Sequence, residues 1–89
     1  MNARTVILAF LSERAPAAYS AETIETRVNR SGLVDNPVIS IGSELDYLAS
    51  ERMGKLVDCQ IDPVSKAPYW FATDAGVKSW TVSGRQHVG

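Results

Sequence analysis

The hydrophobic period changes at Gly54, and this change constrains the fold more than any other feature of the sequence. On the N-terminal side, one stripe recurs at helical spacing: Val38, Ile41, Leu45, Leu48 and Arg52. On the C-terminal side, "KLVDCQI" alternates between apolar and polar residues, as a half-buried strand does. Glycine at the boundary allows a sharp turn, because it adopts left-handed backbone conformations without steric cost. The chain is therefore predicted to combine helices and strands in an α+β fold.

Two further helices are predicted before this stripe. Asn2 is a good N-cap for a first helix over about residues 3–14, which Pro16 stops. Ser20 precedes "AETIETRVNRSG", where apolar residues again share one face and Gly32 offers the left-handed closing position. Both segments are predicted to be short amphipathic helices.

The third helix is predicted to begin at Asn36 and Pro37, which suit the N-cap and first helical positions, and to run to about Met53. Leu8 lies on the far side of the first helix from Phe10, so we expect it to be exposed. The expected core is Phe10, Ile24, Val28, Ile41, Leu45, Leu48, Val57 and Trp70 or Phe71.

An antiparallel hairpin is predicted after Gly54, between residues 55–61 and residues 69–72. The two runs are separated by "DPVSKAP", whose prolines, aspartate and serine are typical of a hairpin loop. Thr73 is then a good cap for a short last helix. We expect one domain over residues 1–81, followed by a flexible C-terminal tail over residues 82–89.

This order of elements resembles the winged helix-turn-helix domain over almost all of residues 3–80. "SELDYLASERMGKLVDCQID" is similar to a recognition helix that passes through a glycine turn into the first wing strand. "YWFATDAGVKSW" resembles the stretch that closes the wing in MarR-like and PadR-like regulators. The resemblance implies three helices, a two-stranded antiparallel wing and a short C-terminal helix. It also implies a transcriptional regulator that binds duplex DNA as a homodimer, and the small size of the chain favours a regulator of phage, plasmid or other mobile-element type.

Nine residues are the candidates for contacts in such a protein. Basic side chains expected to meet phosphates are Arg27, Arg30, Lys55 and Lys66. Polar side chains of the third helix expected in the major groove are Ser40, Ser43 and Tyr47. A protein partner or a second copy is expected to contact Leu8 and Trp80.

The acidity of the third helix supports a second interpretation. Glu44, Asp46 and Glu51 would repel a phosphate backbone, and this helix has no lysine and only a late arginine. The formal net charge of the chain is −1, without the basic excess common in DNA-binding proteins. The alternative is a winged-helix module that binds another protein through Leu8, Ile39, Tyr47 or the aromatic wing.

We expect no catalytic, cofactor or metal site in this sequence. His87 is the only histidine, so neither a histidine-based triad nor a histidine metal cluster can be assembled. Cys59 is the only cysteine and lies on the apolar side of its strand, which is typical of an unreactive thiol. No run is long and apolar enough to span a membrane, no signal peptide is recognisable, and a cytoplasmic location is expected.

Overall fold

The computed structural model describes the backbone of residues 2–34 and 40–88 and the side chains of residues 2–34 and 40–81. These residues form an α+β fold with four α-helices and one three-stranded antiparallel sheet. In chain order the elements are α1 (Ala3–Glu13), β1 (Tyr19–Ser20), α2 (Ala21–Arg30), α3 (Ile41–Ala49), a 3-10 turn (Glu51–Met53), β2 (Val57–Ile61), β3 (Pro68–Ala72) and α4 (Asp74–Val88).

The predicted starts of the first two helices are confirmed. Asn2 Oδ1 accepts a hydrogen bond from Thr5 N at 2.9 Å, and Ser20 Oγ accepts one from Thr23 N at 3.2 Å. Each bond satisfies a backbone donor that has no partner within the first turn of its helix. Gly32 follows α2 with a φ of 73°, in the left-handed conformation expected of it.

α3 ends at Ala49 rather than near Met53. Ser50 is extended (φ −69°, ψ 152°), and its Oγ donates a hydrogen bond to Tyr47 O at 2.7 Å. This side-chain bond occupies a carbonyl of the last helical turn, where helices lack backbone partners. The 3-10 turn then ends at Gly54, which is left-handed (φ 82°) as expected.

The early end of α3 corrects the placement of Arg52, which is exposed instead of continuing the buried stripe. Because Ser50 is not helical, Arg52, which is four positions after Leu48, does not lie on the buried face of α3. The predicted start at Asn36 and Pro37 lies outside the described residues, and the described helix begins at Ile41.

The predicted hairpin is confirmed, and the sheet contains one strand that was not predicted. β2 pairs with β3 in antiparallel register, with Cys59 opposite Trp70. β1 pairs with the other edge of β3, with Tyr19 also opposite Trp70, so the strand order is β1-β3-β2. A strand of two residues has no period to detect. Its conformation depends on pairing with β3, which lies far away in the sequence.

The core follows the predicted faces in α2, α3 and the hairpin but not in α1, where Phe10 was expected to be buried and is not fully so. Its buried apolar residues are Val6, Ile7, Leu8, Leu11, Ile24, Val28, Ile41, Leu45, Leu48, Val57, Trp70 and Ala72. The buried aromatic of β3 is Trp70, while Phe71 is only partly buried. Phe10 is also partly buried, and its ring contacts that of Tyr19 with centroids 5.1 Å apart.

Leu8 is buried, so the expectation that it is exposed and free to contact a partner is wrong. One turn further along α1, Ser12 Oγ donates a hydrogen bond to Gly76 O of α4 at 3.4 Å. Residues four apart share a helix face, so Leu8 lies on the side of α1 that faces α4. α1 also contacts α2, α3 and β3, which makes it the central helix of the fold.

α4 begins as predicted and extends further than predicted. Thr73 Oγ1 accepts a hydrogen bond from Gly76 N at 3.1 Å and donates one to Lys55 O at 2.6 Å. The cap therefore also attaches the start of α4 to the chain leading into β2. The helix continues to Val88, beyond the end near residue 81 that the sequence indicated.

Candidate nucleic-acid interface

Two exposed serines mark the start of α3. Ser40 Oγ donates a hydrogen bond to Ser43 Oγ at 2.8 Å, and the Ser40 side chain does not cap the helix backbone. A hydroxyl group both donates and accepts hydrogen bonds, so this pair suits a phosphate oxygen or a base edge. The fold brings these two candidate residues together on the solvent side of α3.

Tyr47 lies one turn further along α3 and is held by a residue of α1. The Arg4 guanidinium lies 3.7 Å from the centroid of the Tyr47 ring. Arg4 Nε also donates a hydrogen bond to Glu44 Oε2 at 2.7 Å. Stacking and the ion pair together fix the orientation of Tyr47, which is half-buried.

Arg4 also changes the electrostatics of the α3 surface. Its charge offsets that of Glu44, the acidic residue in the first turn of α3. Asp46 and Glu51 are exposed. The repulsion expected between α3 and a phosphate backbone is therefore reduced at the end where Ser40 and Ser43 lie. Sequence reasoning missed Arg4, because no local pattern connects a residue of α1 to one that lies 40 positions away in α3.

Lys55 lies at the base of the hairpin in a constrained backbone position. Its φ is 51°, its N–H donates to Ser50 O at 3.0 Å, and its carbonyl accepts from Thr73 Oγ1. The side chain is exposed. These backbone bonds hold the lysine at the junction of α3, β2 and α4.

Lys66 lies in the turn that joins β2 to β3. Asp62 organises this turn, since its Oδ2 accepts hydrogen bonds from Ser65 Oγ at 2.7 Å and from Ser65 N at 3.1 Å. These bonds, with the side-chain hydroxyl first, lower the pKa of the Asp62 carboxyl below its usual value. Lys66 is exposed with a φ of 62°, and Val64 beside it is 89% exposed.

Arg27 and Arg30 lie elsewhere, on the last turn of α2. Both are exposed, and both line a pocket between α1, the end of α2 and Trp80 of α4. Trp80 itself is partly buried against the core. The predicted phosphate contacts are thus divided between the hairpin and the α2 pocket.

The described residues contain no group of three His, Cys, Asp or Glu side chains that could hold a metal ion. Cys59 is a half-buried free thiol on β2. In the part of the chain that is described, no helix has both the length and the apolar character needed to cross a membrane. Comparison of the chain with protein-family models, curated proteins and solved structures gave no match.

Proposed function

We propose that the chain is a winged helix-turn-helix protein that binds duplex DNA as a small transcriptional regulator of the phage or mobile-element type. The observation that carries the proposal is the path of the chain from α3 through Gly54 into the β2–β3 hairpin. That path places a hydroxylated helix surface beside a hairpin with an exposed lysine at its base and another in its turn. A cytoplasmic location belongs to the same proposal.

In this proposal, α3 enters the major groove and the hairpin follows the backbone. The α3 side chains that contact base edges or phosphates are Ser40, Ser43 and Tyr47. Arg4 stacks on the Tyr47 ring and fixes its orientation. Lys55 contacts a phosphate near α3. Lys66 contacts a second phosphate. The five residues of β2 lie between the two lysines and span roughly 17 Å at about 3.4 Å per residue, so one phosphate cannot contact both.

Salt dependence is the direct test of these contacts. We expect the full chain to bind a fluorescently labelled random duplex in an anisotropy titration at about 50 mM salt, and to bind more weakly at about 200 mM. Lys66→Gln should flatten the slope of log affinity against log salt by about 0.9. Arg52→Gln is the charge-matched control, since Arg52 is an exposed cation of the 3-10 turn that makes none of the proposed contacts.

Ser43→Ala should behave differently from Lys66→Gln. It removes a groove contact, so it should reduce the preference among duplex sequences and leave the salt slope unchanged. No binding by the wild-type chain near 50 mM salt would contradict the DNA proposal.

The alternative is a protein-interaction module of the same fold. Two apolar side chains of the hairpin favour it, since Ile61 is 57% exposed and Val64 is 89% exposed. Exposed apolar side chains within one segment can form part of a contact surface. This alternative would be favoured if the chain did not bind DNA and if it captured a partner protein that the Val64→Asp variant did not capture.

A further inference from the structure

A pocket of about 600 Å³ lies between α1, the last turn of α2 and Trp80 of α4. Val6, Ala9 and Phe10 line it from α1, Val28 lines it from α2, and Trp80 lines it from α4. Small-molecule sites have volumes of about 300 to 1,000 Å³ and mainly apolar walls. The pocket therefore has the size and lining of a ligand site, and it does not include α3 or the hairpin.

The polar part of the pocket is mostly basic. Arg14, Arg27 and Arg30 line it together with one carboxylate, Glu13. Arg14 is already engaged: its Nη1 donates to Phe10 O at 3.2 Å, and its guanidinium lies 4.2 Å from the centroid of the Phe10 ring. The same nitrogen lies 4.0 Å from Glu13.

Arg27 and Arg30 are not engaged in this way. Three positions apart on α2, they lie on one helix face, with β-carbons about 5 to 6 Å apart. Among the described residues, no carboxylate lies within ion-pair distance of either guanidinium. Two adjacent guanidinium groups at the edge of an apolar pocket form a receptor for one carboxylate.

The end of α2 does not need these arginines as caps. Ser31 N donates to Arg27 O at 3.1 Å, and Ser31 Oγ donates to Val28 O at 2.6 Å. Two carbonyls of the last turn, Arg27 O and Val28 O, thus have a partner in the residue that follows the helix. These two carbonyls therefore do not need the Arg27 or Arg30 guanidinium as a cap.

We propose that this pocket binds a small amphipathic carboxylate with a medium-length alkyl chain. The carboxylate contacts Arg27 and Arg30, and the alkyl chain lies along α1 against Val6, Ala9 and Trp80. From Val6 to Glu13 the helix rises roughly 10 Å at 1.5 Å per residue, which is the length of such a chain. The site does not depend on DNA binding.

Octanoate is the probe, with acetate and octanamide as controls that lack the alkyl chain and the charge respectively. In NMR titrations of the ¹⁵N-labelled full chain, octanoate should shift the Trp80 indole and the Ala9 and Val28 amides in a saturable manner. Acetate and octanamide should each bind at least about tenfold more weakly than octanoate, because each lacks one of the two interactions.

Two variants test the assigned residues. Arg27→Gln/Arg30→Gln should weaken octanoate binding about tenfold or more without changing octanamide binding. Arg52→Gln/Lys66→Gln removes the same charge from exposed positions outside the pocket, and it should bind octanoate like the wild type. Ala9→Phe fills the pocket and should abolish binding while circular dichroism shows an intact fold.

Three kinds of result would overturn the proposal. The first is the absence of saturable shifts, or saturable shifts confined to residues outside the pocket. The second is equal affinity for octanoate and octanamide, or equal octanoate affinity in Arg27→Gln/Arg30→Gln and the wild type. The third is loss of a dimer on Ala9→Phe in a chain that does not bind octanoate, which would assign the pocket to a second copy.

Discussion

Gly76 shows how one residue position limits the approach of two elements. It lies in the first turn of α4 and is buried against the segment that leads into β2. A β-carbon at this position would overlap Leu56 O, a backbone atom that cannot rotate away. Gly42 in α3 is the opposite case, since a β-carbon there meets nothing within 4 Å. The two glycines therefore differ in what substitution does.

Gly76→Ala should destabilise the fold by about 1 to 3 kcal/mol, because α4 must move away from Leu56. Gly42→Ala should stabilise it by about 0.5 to 1 kcal/mol, since alanine restricts the unfolded chain and favours helix. Urea unfolding of both variants measures the two changes. Equal effects at the two positions would contradict the close approach at Gly76.

Leu45 tests the core face of α3 at the same scale. Its side chain is fully buried, so Leu45→Ala should lower the free energy of unfolding by about 2 to 5 kcal/mol through the cavity it leaves. Val64→Ala is the control: Val64 is 89% exposed, and its truncation should change stability by less than about 0.5 kcal/mol. Thermal and urea unfolding give both values.

At the scale of elements, β2 is an edge strand that is partly blocked against further pairing. Thr73 N donates to Leu56 O, and Asp62 N donates to Ala67 O. Since backbone groups alternate in direction along a strand, the N–H and C=O groups of the even-numbered residues of β2 point towards β3, and those of the odd-numbered residues point away from it. Cys59 N–H therefore points away from the sheet, where it donates to Asp58 Oδ1 at 2.8 Å. This local bond occupies a donor that a second strand would otherwise use.

The turn between β2 and β3 should show a pH dependence centred on Asp62. Hydrogen bonds from Ser65 lower the pKa of the Asp62 carboxyl in the folded state. These bonds therefore stabilise the fold above the unfolded-state pKa of about 3.9, and this stabilisation is lost as the pH falls through the folded-state pKa. Ser65→Ala should raise the Asp62 pKa in an NMR titration. The stability difference between this variant and the wild type should shrink in acid, and an unchanged pKa would contradict the assigned cause.

At the scale of the whole molecule, association is expected through a terminal helix rather than through the sheet. The edge of β2 is partly blocked, and Leu8 is buried beneath α4. α4 is the longest helix described, and Lys78 and Thr81 are exposed three positions apart on it. If the chain is the proposed DNA-binding regulator, this face of α4 is the candidate surface for a homodimer that matches a two-fold DNA site.

Light scattering at high micromolar concentration should give about twice the chain mass of 9.7 kDa. Lys78→Glu/Thr81→Glu should convert the dimer to a monomer, because a two-fold interface brings both copies of each new charge together. Val64→Glu adds a charge to the hairpin and should leave the dimer intact. A wild-type chain that scatters as a monomer would contradict dimer formation.

Local chemistry determined much of this fold. Asn2 and Ser20 cap the helices that follow them, Gly54 adopts the left-handed turn, and the buried stripe of α3 has the predicted face over Ile41, Leu45 and Leu48. Caps, turns and periods depend on residues a few positions apart, so a sequence displays them directly. The hairpin belongs to the same class, since its strands are separated only by a short turn.

Tertiary structure decided what depends on residues far apart in the chain. β1 exists because Tyr19 pairs with Trp70, Leu8 is buried because α4 covers α1, and Tyr47 is held because Arg4 reaches it from α1. The pocket is likewise formed by residues of three helices, α1, α2 and α4. The sequence of α2 alone therefore does not show that Arg27 and Arg30 lie beside an apolar pocket. Periodicity reports which side of an element is apolar. Which element covers that side, and which charge finds a partner, is determined only when the packed helices bring distant side chains within a few ångströms.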